Sequence, residues 1–260
     1  MGVLNRTPDS FSDGGAFMNL DAALRQALDM ARDGAAILDI GGESTRPGAQ
    51  AVSVQQEMER VIPLIEHLAH DADVPVSIDT SKPEVMREAV RAGAAMINDV
   101  YALRLSGALE AAQECQVPVC LMHMQGEPRI MQRHPYYKNV VAEVKRFLEE
   151  RIQACEAAGI PRAHILIDPG FGFGKTLDHN LELLRHLHEL ASLGQPLLVG
   201  LSRKSSIGTL LGGVPSDRRL QGSVAAAVTA VLHGAHIVRA HDVKPTVEAL
   251  KVAAAARVGC

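Results

Sequence analysis

The sequence carries no excess of positive charge. Its 26 lysines and arginines stand against 30 aspartates and glutamates, a formal net charge of −4. No broad basic field follows, which argues against nucleic acid or an anionic membrane as partner. Long apolar runs are also missing: the longest mostly apolar stretch, 224–232, falls far short of the ~20 residues a membrane-spanning helix needs. Cysteine is scarce. Cys115, Cys120, Cys155 and Cys260 form neither a CxxC nor a Cys/His metal spacing, so reduced thiols are expected rather than a disulfide or zinc site. No window is disordered or low in complexity. The first residues read as a strand, with neither a basic n-region nor a cleavage site, and a cytoplasmic location is expected.

What is present points to repeated βα units. Apolar, β-rich runs fall at 1–5, 37–41, 74–79, 95–98, 118–122, 164–168, 196–200 and 236–239. Most are continuously apolar rather than alternating, as expected of strands covered on both faces. The stretches between them carry helical periodicity. Leu20, Leu24, Ala27, Leu28 and Ala31 form one stripe, and Val141, Val144, Leu148, Ile152 and Cys155 a second. Leu177, Leu181, Leu184, Leu187 and Ala191 make a third, and all three are read as core.

Gly34-Ala35, Gly93-Ala94 and Gly234-Ala235 each close a helix and open a strand, while Pro75, Pro118, Pro161 and Pro196 punctuate other helix-to-strand junctions. A doubly wound sheet is the rival architecture. Eight units in 260 residues, with no linker between them, favour a single-domain (β/α)8 barrel spanning 1–260. With 47% hydrophobic residues, such a barrel can fill its core.

Position makes the polar residues informative. Asn5, Asp39, Asp79, Asn98, Asp168, Ser202 and Arg239 are placed at or just beyond the C-terminal ends of predicted strands, the active-site face of a barrel. A single Asp there could be a helix cap; seven converging strand ends suggest a site. Asp79, Asn98 and Asp168 offer acceptors for a donor-rich heterocycle edge. Arg46, Arg203, Lys204, Arg239 and His241 offer charge and donors suited to phosphate.

Other chemistries are excluded by spacing. The run DPGFGFGKT, 168–176, would need glycine at Pro169 to form a Walker A loop, and Lys175 and Leu177 break a GxGxxG pattern. Ser44, Ser202 and Ser205 lack a GxSxG context, and no cysteine is paired with a histidine in a recognisable pattern. His123 and His241, each beside strand-end residues, read more simply as structural hydrogen-bonders. The site is built for binding and charge stabilisation rather than covalent catalysis.

Eight motifs then occur in order: NRTPDSFSDGG at 5–15, DIGGESTRPGA at 39–49, SIDTSKP at 77–83, INDV at 97–100, LMHMQGEP at 121–128, DPGFGFGK at 168–175, GLSRKSSIG at 200–208 and RAHDV at 239–243. Together they resemble the dihydropteroate synthases, a pterin-binding enzyme family, across nearly the whole chain. The resemblance implies a transferase that joins 6-hydroxymethyl-7,8-dihydropterin diphosphate to p-aminobenzoate with Mg²⁺ as cofactor, in a homodimer.

Carried over, it assigns Asp79, Asn98, Asp168 and Lys204 to the pterin, with Met122 packed near it. Thr45, Arg239 and His241 would hold the diphosphate and Asn5 the metal. Phe173, Lys204, Ser205 and Pro47 would surround p-aminobenzoate. Arg46 and Pro47 belong to one loop over the site and Phe11 to another. Lys204, Arg239, His241 and Arg46 are the expected catalytic group.

Four features depart from the family pattern. Arg6 replaces a small aliphatic residue, Ala240 replaces a valine, Tyr101-Ala102 replaces smaller residues, and the chain starts at the first strand. Arg6 is expected either to touch the diphosphate or to face solvent. Two other readings stay open: a barrel that passes a folate methyl group to a corrinoid protein, and a non-catalytic pterin-binding paralogue.

Overall fold

The computed structural model describes residues 1–6, 16–44, 51–127 and 130–257. Among these, eight strands alternate with helices. The strands are β1 (Gly2–Asn5), β2 (Leu38–Gly41), β3 (Val76–Asp79), β4 (Met96–Asp99), β5 (Val119–Met122), β6 (Ile165–Asp168), β7 (Leu198–Val199) and β8 (Ile237–Val238). The helices are α1 (Ala16–Arg32), α2 (Val54–Asp71), α3 (Pro83–Arg91), α4 (Ala108–Cys115), α5 (Val140–Ala157), α6 (Leu177–Arg185), α7 (Leu187–Ala191), α8 (Ser205–Leu210), α9 (Leu220–Leu232) and α10 (Val243–Arg257). Every expected strand is found, trimmed by a residue or more at most ends.

β1 to β6 pair in sequence order as one parallel sheet, and β7 pairs with β8. Two single parallel bridges join these pieces, Ile167 to Leu197 and Gly2 to Ala240. At the second, the Val3 amide donates to the Ala240 carbonyl (3.0 Å) and the Ala240 amide to the Met1 carbonyl (2.9 Å). The ring therefore closes into an α/β barrel. Ala240 contributes its backbone there, so its departure from valine leaves the closure intact.

Local chemistry accounts for the boundaries. Ser53 and Gln56 form a reciprocal capping box at the start of α2, as Thr176 and His179 do for α6. Pro83 starts α3, where a missing N–H costs nothing. Gly93 turns out of α3 at φ +113°, a conformation that disfavours side chains, and a Cβ there would meet the Ala69 Cβ at 2.4 Å.

The core between sheet and helices includes Ile40, Leu64, Ile65, Ile97 and Leu148, all fully buried. Truncating Leu148 to alanine would cost about 2–5 kcal/mol. All five residues of the second helical stripe are buried in α5. The first stripe is rotated: Ala23, Ala27 and Met30 form the buried line, with Leu20, Leu24 and Leu28 flanking it. The third is split, because the chain breaks at His186 between α6 and α7, and Leu183, Leu187 and Leu190 point inward. Cys115, Cys120 and Cys155 are free thiols; Cys260 lies outside the described residues.

Candidate active site

The C-terminal ends of the strands surround a cavity of about 460 Å³. Its walls include Asn5 from β1, Asp79 from β3, Asn98 from β4, Met122 from β5 and Asp168 from β6. Phe173, Lys204 and Ser205 come from the segments after β6 and β7, and Arg239 and His241 from the segment after β8. Ten expected site residues thus share one cavity. Thr45, Arg46 and Pro47, together with Phe11, lie outside the described residues.

Arg239 is the electrostatic centre. Its Nε donates to Asp39 Oδ2 (2.6 Å) and its Nη2 to Asp79 Oδ2 (2.7 Å). Burial works against its charge, yet Asp39 and Asp79 outweigh that penalty and hold its pKa above the ordinary arginine value. Asp79 feels the reverse: burial pushes its pKa up to about 7, although Arg239 pulls it down. Asp168 is raised to about 6, again chiefly by burial, with the Gly170 N–H opposing the shift through a bond of 2.7 Å to Oδ1. The pKa values of two carboxyls are thus raised toward neutral pH beside cationic groups, an arrangement typical of functional clefts.

Asp39 departs from expectation. It is the second residue of β2 rather than its end, is fully buried, and does not line the cavity. From the layer beneath, its Oδ2 also accepts from Asn98 Nδ2 at 3.3 Å. It therefore braces two wall residues from below.

The cationic wall is less uniform than the sequence implied. Lys204 Nζ lies 4.2 Å from the Phe173 ring centroid, a cation–π contact inside the cavity. His241 Nδ1 is 3.1 Å from Ser202 Oγ, which also accepts from the His241 amide. Arg203 lines the cavity but spends its guanidinium on Asp242, to which Nε donates at 2.9 Å. Arg6 meets neither expectation: its Nη1 donates to the Arg60 carbonyl (2.6 Å), and it is not part of the cavity wall. At the Tyr101-Ala102 departure, Asp99 accepts from the Tyr101 and Leu103 amides at 2.8 and 2.7 Å, holding a turn with Ala102 at φ +53°.

Several residues were not anticipated. Met131, Gln132, Ser216 and Arg219 also line the cavity, and nothing in their spacing marks them. Lys175 is 3% exposed beneath the wall, and its place inside a glycine-rich run was the available signal. His123 faces Lys175 and not the cavity.

Comparison with known proteins agrees with this geometry. The family described as pterin binding enzyme matches residues 1–241. The dihydropteroate synthase of Escherichia coli K12 is 57% identical over 252 residues, covering 97% of this chain and 89% of its own. Among solved structures, Xanthomonas albilineans dihydropteroate synthase with 4-aminobenzoic acid superposes with a TM-score of 0.94 at 55% identity, over 100% of this chain and 93% of that one. The same enzyme in complex with 7,8-dihydropteroate gives 0.91 at 52% identity, again over 100% and 93%.

Proposed function

This chain belongs to the pterin binding enzyme family, and from that premise we propose the dihydropteroate synthase reaction for its strand-end cavity. It condenses 6-hydroxymethyl-7,8-dihydropterin diphosphate with p-aminobenzoate, giving 7,8-dihydropteroate and diphosphate. The observation that carries this reading is the convergence of Asp79, Asn98 and Asp168 with Lys204, Arg239 and His241 around one cavity. Acceptors for a guanidine-like ring edge and donors for a diphosphate are both required by that substrate, and few others need the pair.

Asp79, Asn98 and Asp168 accept from the N–H donors of the pterin edge, Lys204 lies at the ring, and Met122 packs against it. Arg239, already charged and braced by Asp39, stabilises the departing diphosphate together with His241 and, from outside the described residues, Thr45. The C–O bond at the pterin methylene breaks as negative charge grows on the diphosphate, and the electron-rich dihydropterin spreads the positive charge left behind. The p-aminobenzoate nitrogen, a neutral aromatic amine near pH 7, then forms the C–N bond and releases a proton. Its ring packs near Phe173; Pro47, outside the described residues, is assigned beside it by the family resemblance. Its carboxylate meets Ser205, the first residue of α8, where free backbone N–H groups favour an anion. Arg46 completes the catalytic group. No covalent enzyme intermediate is needed, consistent with the lack of a nucleophile–base pair.

The residues fit Mg²⁺. Asn5 supplies one neutral oxygen at the cavity wall, and Gly41 leaves space for it, since a Cβ there would come 3.1 Å from Asn5 Oδ1. One protein oxygen suits a hard cation that keeps water and takes its other ligands from a diphosphate. Bound there, Mg²⁺ would neutralise leaving-group charge.

No helix among the described residues is long and apolar enough to cross a membrane, and the proposed setting is the cytoplasm. A homodimer is proposed from the family resemblance. Exposed Leu232 on α9 and Val252 on α10, helices that pack together, offer apolar surface for it. The test of the function is diphosphate release by purified protein with and without p-aminobenzoate. Amine-dependent release supports the reading; a methyltransferase or an inert paralogue would show none.

A further inference from the structure

The buried Lys175 has no part in the reaction as described, yet it lies beneath the cavity wall with its Nζ fully engaged. The loop after β6 runs through Gly170, Gly172 and Gly174, with φ of +68°, +78° and +62°. It lies directly on the end of β5: a Cβ on Gly170 would fall 1.9 Å from the His123 carbonyl oxygen, and one on Gly174 2.4 Å from that of Gln125. Backbone pressed this closely leaves its carbonyls turned inward, where they need donors.

Lys175 supplies them. Its Nζ donates to the Gly170 carbonyl (2.9 Å), the Phe173 carbonyl (3.0 Å) and His123 Nδ1 (2.9 Å). Burial lowers its pKa to about 7 against the pull of Asp168, and in the ammonium form its three N–H donors face four acceptors, the fourth being the His123 carbonyl at 3.4 Å. His123 can accept because burial pushes its pKa down to about 2, leaving the imidazole neutral, and its ring is fixed edge-on against Phe147 at 4.9 Å.

We infer that Lys175 is a positioning residue for the amine substrate: it staples Gly170 and Phe173 to His123 and so sets the Phe173 ring that Lys204 caps. This rests on the proposed function, because Phe173 matters only if an aromatic amine binds beside it. The pterin-binding carboxylate Asp168 keeps its own bond from the Gly170 N–H and depends less on the staple.

The experiment measures p-aminobenzoate KM and kcat by diphosphate release, and pterin diphosphate Kd by calorimetry, in Lys175→Met, His123→Asn and His123→Leu. Methionine keeps the chain length and removes all donors, so amine KM rises about tenfold or more, as expected when charge-assisted hydrogen bonds are lost. Pterin Kd should stay within about threefold, a far smaller change than full loss of one such bond. Asparagine can place an acceptor near the Nδ1 position and should hold KM close to wild type, while leucine raises it. If Lys175→Met does not fold, the two His123 variants still decide, because a merely structural role would lower stability in both without separating their KM values. An unchanged amine KM in folded Lys175→Met, equal KM values for the two His123 variants, or a pterin Kd that moves as far as the amine KM would overturn the inference. A wild-type protein that neither binds the pterin nor releases diphosphate would instead defeat the underlying function.

Discussion

Replacing Asp168 with asparagine tests the pterin site at its most constrained residue. Asp168 is 5% exposed, and its Oδ1 is already committed to the Gly170 amide at 2.7 Å. A carboxylate has lone pairs enough to serve that amide and two ligand N–H groups together. An amide does not. If its oxygen stays on Gly170, its NH2 faces the donors of the pterin edge; if it flips, NH2 meets the Gly170 N–H and the loop loses its anchor. One bond is lost and one donor–donor contact added, which in a buried site costs about 2–5 kcal/mol, roughly 30-fold to several-thousand-fold in affinity. Calorimetric titration with the pterin diphosphate, run beside a thermal melt of the free protein, reads both outcomes. Loss of affinity with a modest change in melting temperature supports the pterin role. Wild-type affinity in the variant would refute it, whatever the melt shows.

Acidity should act on the same group: with Asp168 raised to about 6, lowering pH through that value protonates the acceptor. Pterin affinity should therefore fall below pH 6, approaching about tenfold per unit, and a flat profile from pH 8 to 5 would contradict the role. Arg239→Ala removes a charged partner of the diphosphate, so kcat/KM should drop about 10- to 150-fold; unchanged kinetics in a folded variant would place the guanidinium away from the substrate. A chelator should abolish turnover while leaving the substrate-free melting temperature unchanged, since Mg²⁺ is proposed to be held largely by diphosphate. Unfolding on chelation would reveal a structural metal instead.

Much of this was legible in the sequence for identifiable reasons. Strands covered on both faces read as unbroken apolar runs, and the glycine and proline junctions mark where each begins. Because a barrel's active face is built from strand ends, finding the strands also located Asp79, Asn98, Asp168 and Arg239. Helix phase was harder. In α1 the small residues Ala23 and Ala27 approach the sheet while the leucines flank them, a choice made by packing distance and not by hydrophobicity. The break at His186 lies between two leucine-rich turns that look continuous. Asp39 was misplaced because two residues along a strand separate the cavity wall from the layer below it. Lys175 and Arg219 depend on which loops fold over them, information that no local spacing contains. Arg6 reads as a possible diphosphate contact until the carbonyl of Arg60, distant in sequence, is seen to take its guanidinium.

The most direct test of the central claim follows the bridging oxygen of the pterin diphosphate. Substitution at the methylene breaks the C–O bond, so oxygen-18 placed between the methylene carbon and the first phosphorus should leave entirely with diphosphate. The dihydropteroate formed should contain no label and should match the diphosphate in amount. Label retained on a hydroxymethylpterin would mean that a P–O bond was cleaved instead, and that Arg239 and His241 serve phosphoryl transfer in place of carbon–nitrogen bond formation.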